Sequence, residues 1–181
     1  MARVPLVPPD SDDPVVAEVF ERFAREGREP IALYRALAHT PKLLRAYSGL
    51  AAALRYEAET PRALRELVIL RTAQLTSSEY EWAHHRKMAL AEGVPEGHLS
   101  ELERWRGSDA FDERERAALR LAEEVHELKV SGETFDELRR LFSEGEAVEL
   151  VMLASTYQAV ARMLQALDLE VEPEYGPEPS G

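Results

Sequence analysis

The stretch RELVILRTAQLTSSEYEWAHH, Arg65 to His85, predicts two α-helices joined by a very short turn, and this hairpin decides the fold. Before the turn, apolar residues recur at spacings of three and four, which is the period of an amphipathic helix. After the turn, Ser78 is followed three residues later by Glu81, the spacing of a capping box at a helix N-terminus. Since only a residue or two separates the two helices, they must lie antiparallel to each other.

The rest of the chain also carries signals for helix starts. Asp13, Thr40 and Thr60 each precede a proline, a pairing typical of an N-cap residue and the first helical position. The segments TFDE (134–137) and SEGE (143–146) have capping-box spacing. Neither an alternating β pattern nor an Asn-Gly or Asp-Gly turn occurs in the sequence. These features together favour an all-α fold.

We predict helices throughout this fold, and the apolar stretch 147–167 is typical of a central, buried one. A long helix followed by a second helix occurs at 61–92 and again at 112–168, which indicates an internal duplication. The predicted helices lie near 14–26, 31–38, 41–57, 61–75, 78–92, 95–105, 112–130, 134–142 and 145–168.

The length of 181 residues and the composition predict one globular domain with short ends. We expect an N-terminal arm at 1–12, a single all-α domain at 13–170 and a tail rich in proline and glutamate at 171–181. The tail composition is typical of a segment that is disordered or that lies on a partner subunit.

Charge and composition argue against several classes of function. The net charge of −12, from 34 acidic and 22 basic residues, disfavours nucleic-acid binding because phosphates would be repelled. The chain contains no cysteine, which excludes disulfides, thiolate nucleophiles and thiolate metal sites. No apolar run is long enough for a membrane span and no secretory signal is visible, so we expect a cytoplasmic protein with no membrane partner. The many charges suit a heat-adapted protein, although an arginine bias also follows from GC-rich codons.

The residues around the hairpin turn form a candidate acid/base site. On a helix beginning near Ser78, that serine shares one face with Glu81 and His85. Glu66, on the preceding helix, lies at a depth in the hairpin similar to that of His85. Two carboxylates buried together would disfavour double ionisation, so we expect the pKa of one of them to be raised. A purely structural interpretation also fits, in which these residues cap a helix start.

The run Arg65 to Leu102 resembles the carboxymuconolactone decarboxylase family, which includes the alkylhydroperoxidase D-like proteins. The resemblance rests on Glu66 at the start of an apolar helix, the turn SEYEW, His85, and the segment AEGVP before the next helix. It extends over roughly residues 40–170. It implies an all-α, alkylhydroperoxidase D-like fold and a homo-oligomer, either a trimer or a hexamer.

The peroxidase branch of this family carries a C-x-x-C turn, with a glutamate upstream and a histidine four residues after the second cysteine. Glu66 and His85 fit that pattern, whereas Ser78 and Glu81 stand at the two cysteine positions. Thiol–disulfide chemistry needs a thiolate that attacks sulfur, so the resemblance does not bring peroxidase activity with it.

The decarboxylase branch needs no cysteine, and the resemblance therefore implies an enzyme that moves protons. We predict a cofactor-free acid/base enzyme acting on a small organic acid or lactone, with Glu66, Glu81 and His85 as catalytic residues and no bound metal. His85 would be the general acid/base, Glu66 would orient it, and Glu81 would be a second acid/base or hold water. The residues expected to bind substrate or water are Ser78, Tyr80, Trp82 and His84.

Three questions stay open at the level of sequence. An anionic substrate would be repelled by two carboxylates unless one is protonated or Arg71 or Arg86 lies close. The chain could instead be a non-catalytic oligomeric scaffold or small-ligand binder. It could also bind two metal ions, because the E-x-x-H pairs at 81–84 and 123–126, with bridging Glu66 and Glu149, resemble a di-iron ligand set.

Overall fold

The computed structural model describes residues 2–176 of the chain, and this range contains helices and no β-strand. The predicted all-α fold is confirmed. The α-helices are α1 Pro14–Arg25, α2 Ala32–Leu37, α3 Pro41–Ala52, α4 Arg62–Leu75, α5 Glu79–Ala91, α6 Glu96–Glu101, α7 Glu113–His126, α8 Gly132–Leu141 and α9 Glu144–Leu167. A π-helical turn at Ala53–Glu57 follows α3, and 3-10 turns occupy Leu102–Gly107 and Pro173–Tyr175.

The described chain divides into two compact units, one of residues 2–57 with 164–176 and one of residues 58–163. Every candidate site residue predicted from the sequence belongs to the second unit. The single domain predicted at 13–170 stays a prediction. Within residues 2–176, every helix is too short or too polar to span a lipid bilayer.

The first unit is built around the apolar side of α1. Val16, Val19 and Phe20 of α1 are buried against Ala38 and Leu44. Burying such side chains stabilises the unit by about 1.5–3 kcal/mol each.

Segments near both ends of the described range are held within this unit by hydrogen bonds. In the N-terminal arm, Val7 accepts a hydrogen bond from Arg35 Nε at 2.9 Å. Near the other end, a carboxylate oxygen of Glu172 accepts the backbone N–H of Ala32 at 2.6 Å. The start of the predicted tail is therefore attached to α2, and its residues 177–181 lie outside the described range.

The second unit surrounds α4, which is buried on nearly all sides. All seven residues from Leu64 to Leu70 are buried, as are Thr72 and Ala73. One side of α4 packs on α5 and another on α7. A core cluster that includes Leu67, Leu70, Leu102, Trp105 and Leu119 fills the space beside it. This packing fixes the hairpin that was predicted from the sequence.

Capping chemistry sets most of the helix starts. The Asp13 carboxylate accepts the backbone N–H of Val15 at 2.9 Å, as its position before a proline predicts. Ser143 and Glu146 form a full capping box, with backbone-to-side-chain hydrogen bonds of 2.8 and 3.1 Å.

The start of α8, predicted near residue 134, lies two residues earlier. The helix begins at Gly132, because the hydroxyl of Ser131 accepts the backbone N–H of Thr134 at 3.1 Å and so caps the helix two residues earlier. Glu124 of the preceding helix accepts the backbone N–H of Ser131 at 2.7 Å, which fixes that cap.

The prediction that 147–167 forms a central, buried helix is wrong. One face of α9 is exposed, with Val148 60% and Met152 44% accessible in this chain. The helix that is buried nearly all round is α4. An apolar stretch cannot by itself distinguish a helix buried on all sides from one with an exposed apolar face.

Candidate active site

The turn between α4 and α5 determines how the candidate residues on the two helices face each other. Thr76 ends α4, Ser77 adopts a left-handed conformation with φ of 52°, and Ser78 is the N-cap of α5. The backbone N–H of Ser78 reaches back to the carbonyl of Ala73 at 2.9 Å, as in a helix C-terminal motif with one left-handed residue. The reversal is completed within these residues, so α5 returns along α4 as an antiparallel partner.

The hairpin brings Glu66 of α4 to His85 of α5. The Glu66 Oε2 atom lies 2.7 Å from His85 Nδ1, a short hydrogen bond. The Glu66 side chain is fully buried and that of His85 is only 7% exposed. The prediction that these two residues lie at similar depth is confirmed by this contact. With Nδ1 held by Glu66, Nε2 is the ring nitrogen that would exchange a proton with a ligand.

The other carboxylate oxygen of Glu66 forms an ion pair with Arg62, one turn earlier on α4. Arg62 is not among the residues predicted from the sequence, although its i, i+4 spacing to Glu66 is a signal for such a pair. The rings of Tyr157, on α9, and His85 lie nearly perpendicular to each other, with 5.0 Å between their centroids. Nothing local in the sequence marks Tyr157, because its contact with His85 depends on tertiary packing.

Glu81 is buried without a hydrogen-bond partner for its carboxyl group. The residue is 2% exposed, and within residues 2–176 neither of its carboxyl oxygens has a partner. The Ser78 hydroxyl accepts the backbone N–H of Glu81 at 3.4 Å, but the Glu81 side chain does not complete the capping box. The capping interpretation therefore explains Ser78 and does not explain the Glu81 carboxyl. Because Glu81 precedes His85 by four residues, the two side chains share one face of α5.

The two glutamates have pKa values shifted in opposite directions. Burial raises the pKa of Glu81 to about 8, and the nearby Ser78 hydroxyl, which lowers the pKa, offsets this rise only in part. Burial would also raise the pKa of Glu66, but the hydrogen bond to His85 and the charges of His85 and Arg62 outweigh it, so the pKa is lowered. At neutral pH, Glu66 is therefore ionised and Glu81 is protonated.

The expected pKa rise at one carboxyl is thus present, but its predicted cause is wrong. The rise at Glu81 comes from burial and not from repulsion by Glu66, because the charge of Glu66 is neutralised by Arg62 and shared with His85. A carboxyl with no partner in a low-dielectric surrounding stays neutral because its charged form is not solvated.

The remaining predicted residues lie along α5 around these groups. Tyr80 and His84 are buried and stack on each other, with ring centroids 4.4 Å apart. Trp82 is partly buried and packs against the apolar core cluster. Ser78, at the N-cap, is also partly buried. Their roles in binding substrate or water stay predictions.

Arg71 and Arg86, the two arginines considered as partners for an anionic substrate, are bound elsewhere. Arg71 donates to Glu123 at 2.7 and 3.0 Å, and Arg86 donates to Glu96 at 2.6 Å. The positive charge beside Glu66 comes from Arg62. The arginine that lies beside Glu66 is therefore not one of the two considered from the sequence.

The ligand set of the two-metal hypothesis is not brought together. Glu123 accepts hydrogen bonds from Trp105, Arg71 and Arg106, whereas Glu149 accepts the backbone N–H groups of Glu59 and Thr60. His126 bonds to Gln158 at 3.1 Å. Within residues 2–176, no three histidine, aspartate or glutamate side chains converge as metal ligands would. The E-x-x-H spacing at 123–126 is therefore accounted for by structural contacts.

Comparison with known proteins places this hairpin in a family. Residues 41–124 match the model of the carboxymuconolactone decarboxylase family. This match covers just under half of the 181 residues. The matched range contains the hairpin of α4 and α5, and so all the candidate site residues. No curated protein matches the sequence.

Solved structures of similar fold cover nearly the whole length of this chain. The structure of a cysteine-to-alanine variant of the debrominase Bmp8, in complex with 2,3,4-tribromopyrrole, is 24% identical, with a TM-score of 0.81 over 97% of this chain and 96% of that chain. An uncharacterized peroxidase-related protein from Ralstonia eutropha JMP134, described as an alkylhydroperoxidase AhpD core, is 19% identical, with a TM-score of 0.81 over 96% and 94%. A peroxidase-related protein from Silicibacter sp. TM1040 is 17% identical, with a TM-score of 0.81 over 96% and 93%. At these identities the comparisons establish the shared alkylhydroperoxidase D-like fold.

Proposed function

We propose that this protein is a cofactor-free acid/base enzyme of the carboxymuconolactone decarboxylase family, acting on a small organic acid or lactone. The observation that carries the proposal is the buried Glu66–His85 pair, with 2.7 Å between Oε2 and Nδ1 and with Arg62 on the other carboxylate oxygen. An imidazole oriented by a carboxylate that a cation holds in its ionised form is a common arrangement for a general acid/base.

In this proposal His85 and Glu81 divide the proton chemistry. His85 Nδ1 is fixed by Glu66, so Nε2 takes or gives the proton at the substrate. Glu81 is the second acid, because burial raises its pKa to about 8 and keeps the carboxyl protonated at neutral pH. Two carboxyl groups with separated pKa values are the usual signature of distinct acid and base roles.

The protonated state of Glu81 supports an anionic substrate. With Glu81 neutral, the charges in the site are the cation of Arg62, the carboxylate of Glu66, and the imidazole of His85, which is neutral or positive. The site is therefore neutral or positive overall and does not repel a carboxylate. This removes the difficulty that two ionised glutamates would create.

The proposed reaction is the loss of CO2 from a carboxylated lactone. The bond between the ring carbon and the carboxylate breaks, and its electron pair moves into the conjugated lactone carbonyl. Glu81 or protonated His85 then delivers a proton to carbon, and the donor regains its proton from solvent. All these steps move protons and electron pairs, so they require no thiol and no redox partner.

We do not extend the activities named for the structural relatives to this chain. The Bmp8 structure is that of a variant with a cysteine replaced, and this chain has no cysteine at all. A carboxylate or a hydroxyl cannot replace a thiolate in attack on sulfur.

The experiment is an assay of CO2 release from a panel of carboxylated lactones, carried out on the wild type and on three variants. We expect turnover to fall by about 10²–10⁴-fold in Glu66→Gln and His85→Ala. It should be retained in Glu79→Gln, which removes an exposed carboxylate from α5, the helix of His85. Circular dichroism and light scattering would show that helicity and assembly are unchanged.

The same variants distinguish the proposal from a non-catalytic scaffold or ligand binder. A scaffold predicts no turnover by the wild type on any member of the panel, and a smaller oligomer in Glu66→Gln and His85→Ala. That combined result would refute the enzyme proposal. Assembly into a homo-oligomer, trimer or hexamer, is itself proposed from the family resemblance, and the light-scattering mass tests it.

A further inference from the structure

A small cavity in the first unit concentrates positive charge and aromatic surface. Its volume is about 60 Å³, several times the roughly 10–15 Å³ that a cavity needs to hold one water molecule. Side chains from α1, the loop after it, α2, α3 and the π-helical turn line it, including Arg22, Arg28, Arg55, Phe23, Tyr34 and Tyr56. None of these residues contributes to the proposed active site.

The charge balance of the lining is opposite to that of the whole chain. Three guanidinium groups line the cavity against one carboxylate, that of Glu26, which pairs with Arg28. Outside the lining, Glu18 approaches Arg22 at 3.9 Å, with both side chains about half exposed, and such a contact is weak. The chain as a whole has a net charge of −12, whereas this lining holds more arginine than carboxylate.

The arginines are held by neighbouring groups. Arg22 Nη1 donates to the Ser48 hydroxyl at 3.2 Å. The guanidinium of Arg28 lies 5.5 Å from the centre of the Phe23 ring, and that of Arg55 lies 5.7 Å from the centre of the Tyr56 ring. Stacked guanidinium groups lose less conformational freedom when they bind a ligand.

The backbone at the cavity also departs from regular helix. Ala53–Glu57 form a π-helical turn that follows α3 and brings both Arg55 and Tyr56 to the lining. Single π-helical turns are rare and occur frequently at functional sites, because the wider turn redirects side chains.

Tyr34, which is partly buried, adds a hydroxyl group to the cavity lining. Burial raises the pKa of Tyr34, and the charges of Arg55, Arg22 and Arg28 act in the opposite direction, which places all three cations close to the phenol. The ring of Tyr34 packs edge-on against that of Phe23, with 4.8 Å between centroids. The cavity thus combines a hydroxyl donor with aromatic walls.

We propose that this cavity binds the carboxylate group of a small organic acid whose apolar body rests on the aromatic rings. Guanidinium groups bind planar carboxylates in a paired geometry, and the small volume accommodates the carboxylate and a few further atoms. The remainder of the ligand extends past Tyr56, which is 65% exposed and therefore lies at the opening.

The test is calorimetric titration of the full chain with sodium benzoate at constant ionic strength, with benzamide and inorganic phosphate as comparison ligands. We expect saturable binding of benzoate, no binding of benzamide, and weaker binding of phosphate. Equal affinity for benzoate and phosphate, or no saturable binding of benzoate, would overturn the proposal.

Arginine variants locate the binding. Arg55→Gln and, separately, Arg22→Gln should each weaken benzoate binding about tenfold or more, the usual loss for one charge-assisted hydrogen bond. The matched control is Arg25→Gln, which removes the same charge from an exposed position on α1, where Arg25 pairs with Glu21 at 3.2 Å. Circular dichroism confirms folding of each variant. If Arg25→Gln weakens benzoate binding as much as the two cavity variants do, the effect depends only on net charge, and the proposed site is refuted.

Discussion

Glu66 and His85 lie nineteen positions apart in the sequence and form a hydrogen bond of 2.7 Å in the buried interior of the hairpin. This relationship couples the fold to the proposed chemistry, because the antiparallel packing of α4 and α5 is what brings the two groups together. The hydrogen bond at Nδ1 also selects the ring nitrogen that works on the substrate.

The Glu66→Gln variant is expected to lower turnover by about 10²–10⁴-fold. The imidazole of His85 loses the carboxylate that orients it and stabilises its protonated form. The variant also leaves the Arg62 cation without its buried counterion, so we expect a lower melting temperature. Steady-state kinetics and thermal unfolding measure the two effects. Glu79→Gln should change neither, and an equal loss of turnover in that control would contradict the account.

The stability of the protein should depend on the pH through Glu81. The folded-state pKa of about 8 lies above the unfolded value near 4.5, so the folded state holds a proton that the unfolded state has lost. The free energy of unfolding contributed by this group is therefore largest below pH 4.5 and falls by about 1.4 kcal/mol per pH unit as the pH rises towards 8.

Urea unfolding of the wild type and of Glu81→Gln at several pH values between 5 and 8 measures this dependence. The difference in stability between the two proteins should shift steadily in favour of the variant as the pH rises, because glutamine cannot ionise. Contributions from the other titrating groups cancel in this difference. Parallel curves for the two proteins would show that Glu81 is ionised in the folded state.

Arg62 is expected to act as a positioning residue for Glu66. Its charge and hydrogen bond help to lower the pKa of Glu66 against the opposing effect of burial. In Arg62→Gln the pKa of Glu66 should rise, and carbon-13 NMR of the carboxyl groups measures it. The control is Arg86→Gln, which removes a half-exposed arginine from α5 and should leave the pKa of Glu66 unchanged.

Glu123 is expected to be the most important single polar residue for the stability of the second unit. Its carboxylate accepts hydrogen bonds from Trp105 Nε1 at 2.7 Å and from both Arg71 and Arg106. Removing it in Glu123→Ala leaves these donors without their acceptor, so we expect a loss of about 3–5 kcal/mol in chemical unfolding. The exposed Glu103→Ala change should cost less than about 0.5 kcal/mol. Similar losses in the two variants would contradict this assignment.

The sequence permits prediction of the hairpin and of the Glu66–His85 pair because both depend on local rules. The helix rise and the shortness of the turn determine which residues of α4 and α5 face each other. Capping chemistry likewise predicts the starts of α1 and α9, where Asp13 and Ser143 act as expected.

The remaining features depend on tertiary packing that the sequence does not encode locally. SEYE has the spacing of a capping box, and only the structure shows that the Glu81 carboxyl is buried and does not bond back. The contact of Tyr157 with His85 and the exposed face of α9 arise from how distant helices pack. Glu123, which the E-x-x-H spacing suggested as a metal ligand, is instead bound by a tryptophan and two arginines.

The central claim is that one buried site holds an ionised carboxylate beside His85 and a second carboxyl that stays protonated. The most direct test is a carbon-13 NMR titration of the glutamate side-chain carboxyl groups, assigned with Glu66→Gln and Glu81→Gln. We expect the Glu81 signal to titrate near pH 8 and the Glu66 signal below the ordinary value of 4.5. Titration of both signals together near pH 4.5 would contradict the account.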